Sequence, residues 1–156
     1  MEQREYTTHD HTGWDSGPWD GEPDKTQWVD PATGLPCLAV RNYSGAWCGY
    51  VGVPPGHKHF GKAYSDVDVS VHGGLTFADK CQPTSDESHG ICHVPDPGEP
   101  DHVWWLGFDC NHCNDFAPGM HFRLKQLGHD FSLMDETYRT LDYVKEQCAK
   151  LAEQLA

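Results

Sequence analysis

An α+β fold, a small, mostly antiparallel sheet with long loops and one C-terminal amphipathic helix, is predicted by three features of the sequence. Short apolar and β-branched runs recur between Gly, Pro and Asn turns, the signature of paired strands. Only the end of the chain carries a sustained helical period, at Tyr138, Leu141, Val144, Cys148, Leu151 and Leu155. The length of 156 residues suits one domain with a real core and is short for two, so 1–156 is expected to be a single unit.

The elements follow in chain order. Residues 1 to about 12 are polar and acidic and are expected to form a flexible arm. Gly17-Pro18-Trp19-Asp20-Gly21-Glu22-Pro23-Asp24 reads as an ordered loop whose tryptophan docks on the main body, since disordered tails are poor in aromatics. Leu35-Pro36-Cys37-Leu38-Ala39-Val40-Arg41 and Ala46-Trp47-Cys48-Gly49-Tyr50-Val51-Gly52-Val53 are hairpin partners joined by Asn42-Tyr43-Ser44-Gly45. Val67-Asp68-Val69-Ser70-Val71-His72 alternates with period two and predicts a half-buried strand, broken by a bulge at Gly73-Gly74 and resumed at Leu75-Thr76-Phe77-Ala78.

Residues 79–101, rich in Pro, Gly, Ser and Asp, are expected to form a long ordered excursion, because loops of that length without regular structure serve a site or must be tied down. Val103-Trp104-Trp105-Leu106-Gly107-Phe108 then predicts a strand buried on both faces. The stretch 120–134 is ambiguous, and Asp135 or Thr137 is placed to cap a final helix over 135–155.

Composition narrows the function. The net charge of −13 argues against direct binding of nucleic acid, which needs clustered Lys and Arg. No apolar run approaches the roughly 20 residues needed to cross a bilayer, so a soluble, cytoplasmic protein with no membrane partner is expected. In that compartment the seven cysteines would be mostly reduced, leaving them as core thiols or metal ligands.

Four constellations carry chemistry. The first places His72, Asp109 and His112 as ligands of a divalent metal of the zinc type, with Asp115 as its outer partner or general base. Imidazole and carboxylate groups converging from separate elements suit such an ion. The same groups can instead cap turns and make core hydrogen bonds. The second is Cys110-Asn111-His112-Cys113 with Cys81, Cys92 and His93, a structural zinc set, against buried thiols or a Cys81–Cys92 disulfide. The third makes Cys110 a nucleophile with His112 or His72 as base. The fourth is an anion nest at Gly73-Gly74 with Arg41, Lys58 and Lys62, walled by the rings of Trp47 and Tyr50, for a nucleotide-like ligand.

The chain resembles an uncharacterised family of small proteins of bacteriophages and their bacterial hosts. The resemblance rests on Pro18-Trp19-Asp20-Gly21-Glu22-Pro23-Asp24, Gly34-Leu35-Pro36-Cys37, Trp47-Cys48-Gly49-Tyr50-Val51-Gly52-Val53, Val71-His72-Gly73-Gly74-Leu75-Thr76-Phe77, Ile91-Cys92-His93-Val94-Pro95 and Trp104-Trp105-Leu106-Gly107-Phe108-Asp109-Cys110-Asn111-His112. It implies that the tryptophan-bearing N-terminal segment belongs to the domain, and it implies no activity. Cys113 stands where similar proteins are expected to carry a small residue, which weakens the C-x-x-C zinc set.

Two functions are therefore expected: a metal-dependent, hydrolase-like small enzyme of unknown substrate, or a non-catalytic phage-encoded binding protein that sequesters a small nucleotide-like ligand or inhibits a host protein. Both depend on one spatial expectation, that the loop after the double-tryptophan strand faces the His72-Gly73-Gly74 bend.

Overall fold

Most of the apolar runs between turn residues form strands. The computed structural model describes residues 1–82, 86–129 and 135–156. Among these residues six strands, β1 (Arg4–Tyr6), β2 (Lys25–Val29), β3 (Pro36–Arg41), β4 (Trp47–Val53), β5 (Phe77–Lys80) and β6 (Trp104–Asp109), make one open sheet in the order β1-β2-β3-β4-β6-β5. Every pairing is antiparallel. Among the described residues two α-helices follow, α1 (Pro118–Gln126) and α2 (Leu141–Leu155), so the protein is α+β as its sequence predicts.

The β3–β4 hairpin turns at Asn42, whose Oδ1 accepts the N–H groups of Ser44 and Ala46, while Gly45 takes a φ of 84° that favours glycine. All seven residues of β4 are buried, because it lies mid-sheet with both faces covered. One face, with Trp47, Val51, Leu106 and Phe108, packs on the α2 stripe of Val144, Cys148, Leu151 and Leu155. The other, with Leu38, Tyr50, Val103 and Trp105, lies under Ile91 of the long excursion. β6 is thus buried on both faces, as its apolar run requires.

Four expectations are corrected. The first residues do not hang free: Arg4, Glu5 and Tyr6 pair with Gln27, Thr26 and Lys25 as an edge strand. β2 went unseen because its buried residues include Lys25, Thr26 and Gln27, polar side chains that read as surface. Partners explain the burial of Lys25 and Gln27. Lys25 Nζ donates to the carbonyls of Glu87, His89 and Cys92, and Gln27 exchanges hydrogen bonds with the backbone of Val94. Together with a Cys81–Cys92 disulfide they tie down the excursion, whose residues 83–85 lie outside the described set.

Val67, Val69 and Val71 do alternate inward, yet residues 67–72 join no strand. This segment lies along α2 instead, where Gln154 exchanges hydrogen bonds with the backbone N–H and carbonyl of Ser70, and Gln147 Oε1 accepts from His72 N. Side-chain amides here replace a sheet partner for the backbone. Finally, α2 begins at Leu141 behind an N-cap Thr140 whose hydroxyl accepts from Tyr143 N, six residues after the expected Asp135. Thr137 cannot cap it, since its N–H and C=O are bonded to Asn114 and Phe116. Of the ambiguous stretch, the helical part is α1, with Pro118 in its first turn, and 130–134 lies outside the described residues.

Candidate metal centre

The His72 turn and the loop after β6 meet. Gly74 N donates to Val71 O, closing a turn with Gly73 at φ 68°, and a Cβ on Gly73 would lie 2.4 Å from the His112 ring. Only glycine fits at 73, where the His112 ring approaches, while Gly74 has open space beside it and takes a φ of 80° that favours glycine. The rings of His72 and His112 stand 6.1 Å apart at 70°.

On the other side, residues 112–115 fold back on themselves. His112 N donates to Asp115 Oδ2 at 3.1 Å, Asp115 N donates to His112 O at 3.0 Å, and Asn114 takes a left-handed φ of 73°. Asp115 is thereby turned inward. Its Oδ2 meets His72 Nε2 at 2.8 Å and its Oδ1 accepts from Arg139 Nε at 2.9 Å. His72 Nδ1 meets the Tyr143 hydroxyl at 2.7 Å. Burial alone would push the Asp115 carboxyl up, but hydrogen bonds from His72, Arg139 and the His112 N–H outweigh it and hold the carboxyl below the ordinary range.

His72, His112 and Asp115 each offer a ligand atom within 4.8 Å of the others, so this group can bind a metal ion. Asp109, expected as a ligand, stands outside it. Its Oδ2 accepts from Thr76 and its Oδ1 from Asn111 N, which fixes it as the cap of the turn. Asp109 Oδ1 comes within 3.2 Å of His112 Nδ1 but out of line for a hydrogen bond, leaving that nitrogen buried with no hydrogen-bond partner. Asp115, expected outside the ligand set, takes the place of Asp109.

The remaining expectations separate from this group. Cys110 points into the hydrophobic core at 1% exposure, and burial drives its thiol far above the ordinary range, the reverse of what a nucleophile needs. Cys113 is exposed, and Cys81 and Cys92 are joined to each other, so no four-ligand zinc set forms from these thiols. Trp47 and Tyr50 are buried on opposite faces of the sheet and cannot wall one pocket. Arg41 is spent on Asp24 Oδ1, the carbonyls of Pro23 and Gly45, and the Tyr138 hydroxyl.

Three participants escaped the sequence reading: Arg139, Tyr143 and Gln147. Tyr143 and Gln147 share one face of α2 by their spacing of four, but nothing in that spacing names the histidine they hold. Beside the group opens a cleft of about 140 Å³, walled by Asn111, His112, Met120, Leu124 and Glu136. At roughly 30 Å³ of liquid volume per water it holds four or five waters or a small ligand.

Fold and site together define an α+β domain with a partly exposed imidazole–carboxylate group at one end of its sheet. No family model, curated protein or solved structure matches the chain. Among the described residues, no helix is long and apolar enough to cross a membrane.

Proposed function

We propose that the protein is a small metal-dependent hydrolase in which His72, His112 and Asp115 hold one divalent ion of the zinc type. The observation that carries the reading is the His112 Nδ1 atom, buried and without a hydrogen-bond partner beside an imidazole and a carboxylate already fixed in position. An orphaned buried nitrogen is costly, and a metal bond would relieve it.

The donor set favours zinc over calcium or magnesium. Two imidazoles and a single carboxylate, itself shared with the Arg139 guanidinium, suit a borderline ion, whereas hard cations need several oxygens. Tyr143 on His72 and Arg139 on Asp115 are the outer partners that fix the orientation of the ligands. Three protein ligands leave a position open, and such an ion supplies Lewis acidity toward a carbonyl or phosphoryl oxygen. With Asp115 engaged, Glu136, which lines the cleft, is the carboxylate left to move a proton there.

The test is titration of the metal-free protein with zinc by calorimetry, followed by assays against small ester and phosphoester substrates with and without chelator. One equivalent of zinc is expected, with affinity falling at least tenfold in Tyr143→Phe and binding lost in His112→Ala. Binding that survives unchanged in His112→Ala overturns the metal centre. Zinc binding without chelator-sensitive turnover leaves the centre standing and removes the hydrolase.

A further inference from the structure

A second cavity lies across the start of α1 from the metal cleft, sharing only His121 with it, and the metal reading does not use it. Its volume is about 280 Å³ and the rings of Trp19, Phe116, His121 and Phe122 line it. We infer that this cavity is a binding site for an uncharged planar ring, an indole-like or nucleobase-like small molecule. The inference goes beyond the metal centre and stands if that centre fails.

The walls are built in advance. Trp19, only 6% exposed, is fixed by its Nε1 donating to Asp15 O at 2.8 Å and is nearly parallel to Phe116, at 5.6 Å and 17°. His121 leans on Phe116 at 4.9 Å. Phe122 lies so close to the chain at Gly13 that a Cβ there would meet its ring at 2.4 Å, so any side chain would drive the ring out of place. Rigid aromatic walls favour a flat guest through offset or edge contacts, which a saturated guest of equal volume cannot make.

The rim sets the polarity. Asp15 and Lys125 pair with each other at 3.4 Å and cancel, leaving the Gln126 amide to donate to and accept from the edge of a guest. With its one rim lysine so paired on a chain of net charge −13, the site does not favour a phosphate. Its volume lies at the small end of ligand pockets, room for about one or two fused rings.

The experiment is an amide-resolved NMR titration of the full chain, kept metal-free with chelator, against indole, adenine, cyclohexanol and adenosine monophosphate. Saturable shifts confined to the surroundings of Gly13, Phe116, His121 and Phe122 are expected for indole, adenine or both, with the other two probes binding at least tenfold more weakly. Indole alone would identify an apolar ring as the natural guest, adenine a hydrogen-bonding one. Phe122→Leu should weaken ring binding about twofold to tenfold, from the usual worth of an aromatic contact. Absence of saturable binding by either ring overturns the inference. So do equal affinity for cyclohexanol or the nucleotide, and shifts centred elsewhere in the protein.

Discussion

Two buried aspartates in this protein are dressed almost alike, and their difference separates scaffold from site. Asp24 accepts from His11 Nε2 at 2.7 Å, Arg41 Nε at 2.9 Å and the N–H groups of Thr8 and His9. Asp115 has His72 Nε2 at 2.8 Å, Arg139 Nε at 2.9 Å and the N–H of His112. The first node is closed: Arg41 and Asp24 side chains are both 0% exposed, and the arginine also stacks 4.3 Å from the Trp47 ring. The second is open. Arg139 keeps 27% exposure, and a second imidazole, His112, stands at 36% with a nitrogen that nothing in the protein satisfies. A His–Asp–Arg set is therefore not in itself a sign of function. What sets the second node apart is the additional imidazole whose buried nitrogen has no hydrogen-bond partner.

The sharpest contrast should come from the arginines. Arg41→Met takes the one guanidinium partner from the buried Asp24 carboxylate, which costs about 3–5 kcal/mol and should lower Tm by on the order of 10 °C. Arg139→Met, at a partly exposed pair, should cost about 1 kcal/mol or less. Thermal unfolding followed by circular dichroism measures both, and equal losses would erase the distinction between the nodes.

The histidines should divide in the opposite sense. His11→Ala removes a partner of the closed node and should cost about 1–3 kcal/mol while leaving zinc binding intact. His112→Ala should change urea-unfolding stability by less than about 1 kcal/mol, since the lost nitrogen had no partner, yet abolish zinc binding.

Acid should act on both nodes, and more gently. Burial raises the Asp24 carboxyl, but the N–H groups of His9 and Thr8 together with His11 outweigh it, so Asp24, like Asp115, is held below the ordinary carboxylate range. A depressed folded value contributes stability that is present above the unfolded value of about 3.9 and is lost as pH falls through the folded value. Urea midpoints should thus be steady in this respect down to about pH 4 and decline below it, with the decline shallower in Asp24→Asn. An unchanged slope in that variant would remove Asp24 from the acid response.

Much of this was legible because it depends on local period. The β3–β4 hairpin, the doubly buried β6 and the α2 stripe follow from alternation, a continuous apolar run and a spacing of three and four, all of which survive any packing. The meeting of His72 with His112 was legible too, from two polar strand ends and a pair of glycines. β2 was not, since the side chains of Lys25 and Gln27 are held by backbone groups between Glu87 and Val94, more than sixty residues away, a pairing no local pattern carries. The exchange of roles between Asp109 and Asp115 was equally hidden. Both lie three residues from His112, and only the left-handed Asn114 and the bond to Arg139 turn the second inward.

By itself, then, the sequence determined the fold class, the strands of its centre, the closing helix and the chemistry available at the two bends, because side-chain period and turn residues act over a few positions. Tertiary structure decided which aspartate joins the imidazoles, which cysteines pair, and that Arg41, Trp47 and Tyr50 serve the core. Those outcomes depend on distances between segments far apart in the chain, and they exist only once the sheet and α2 have closed on each other.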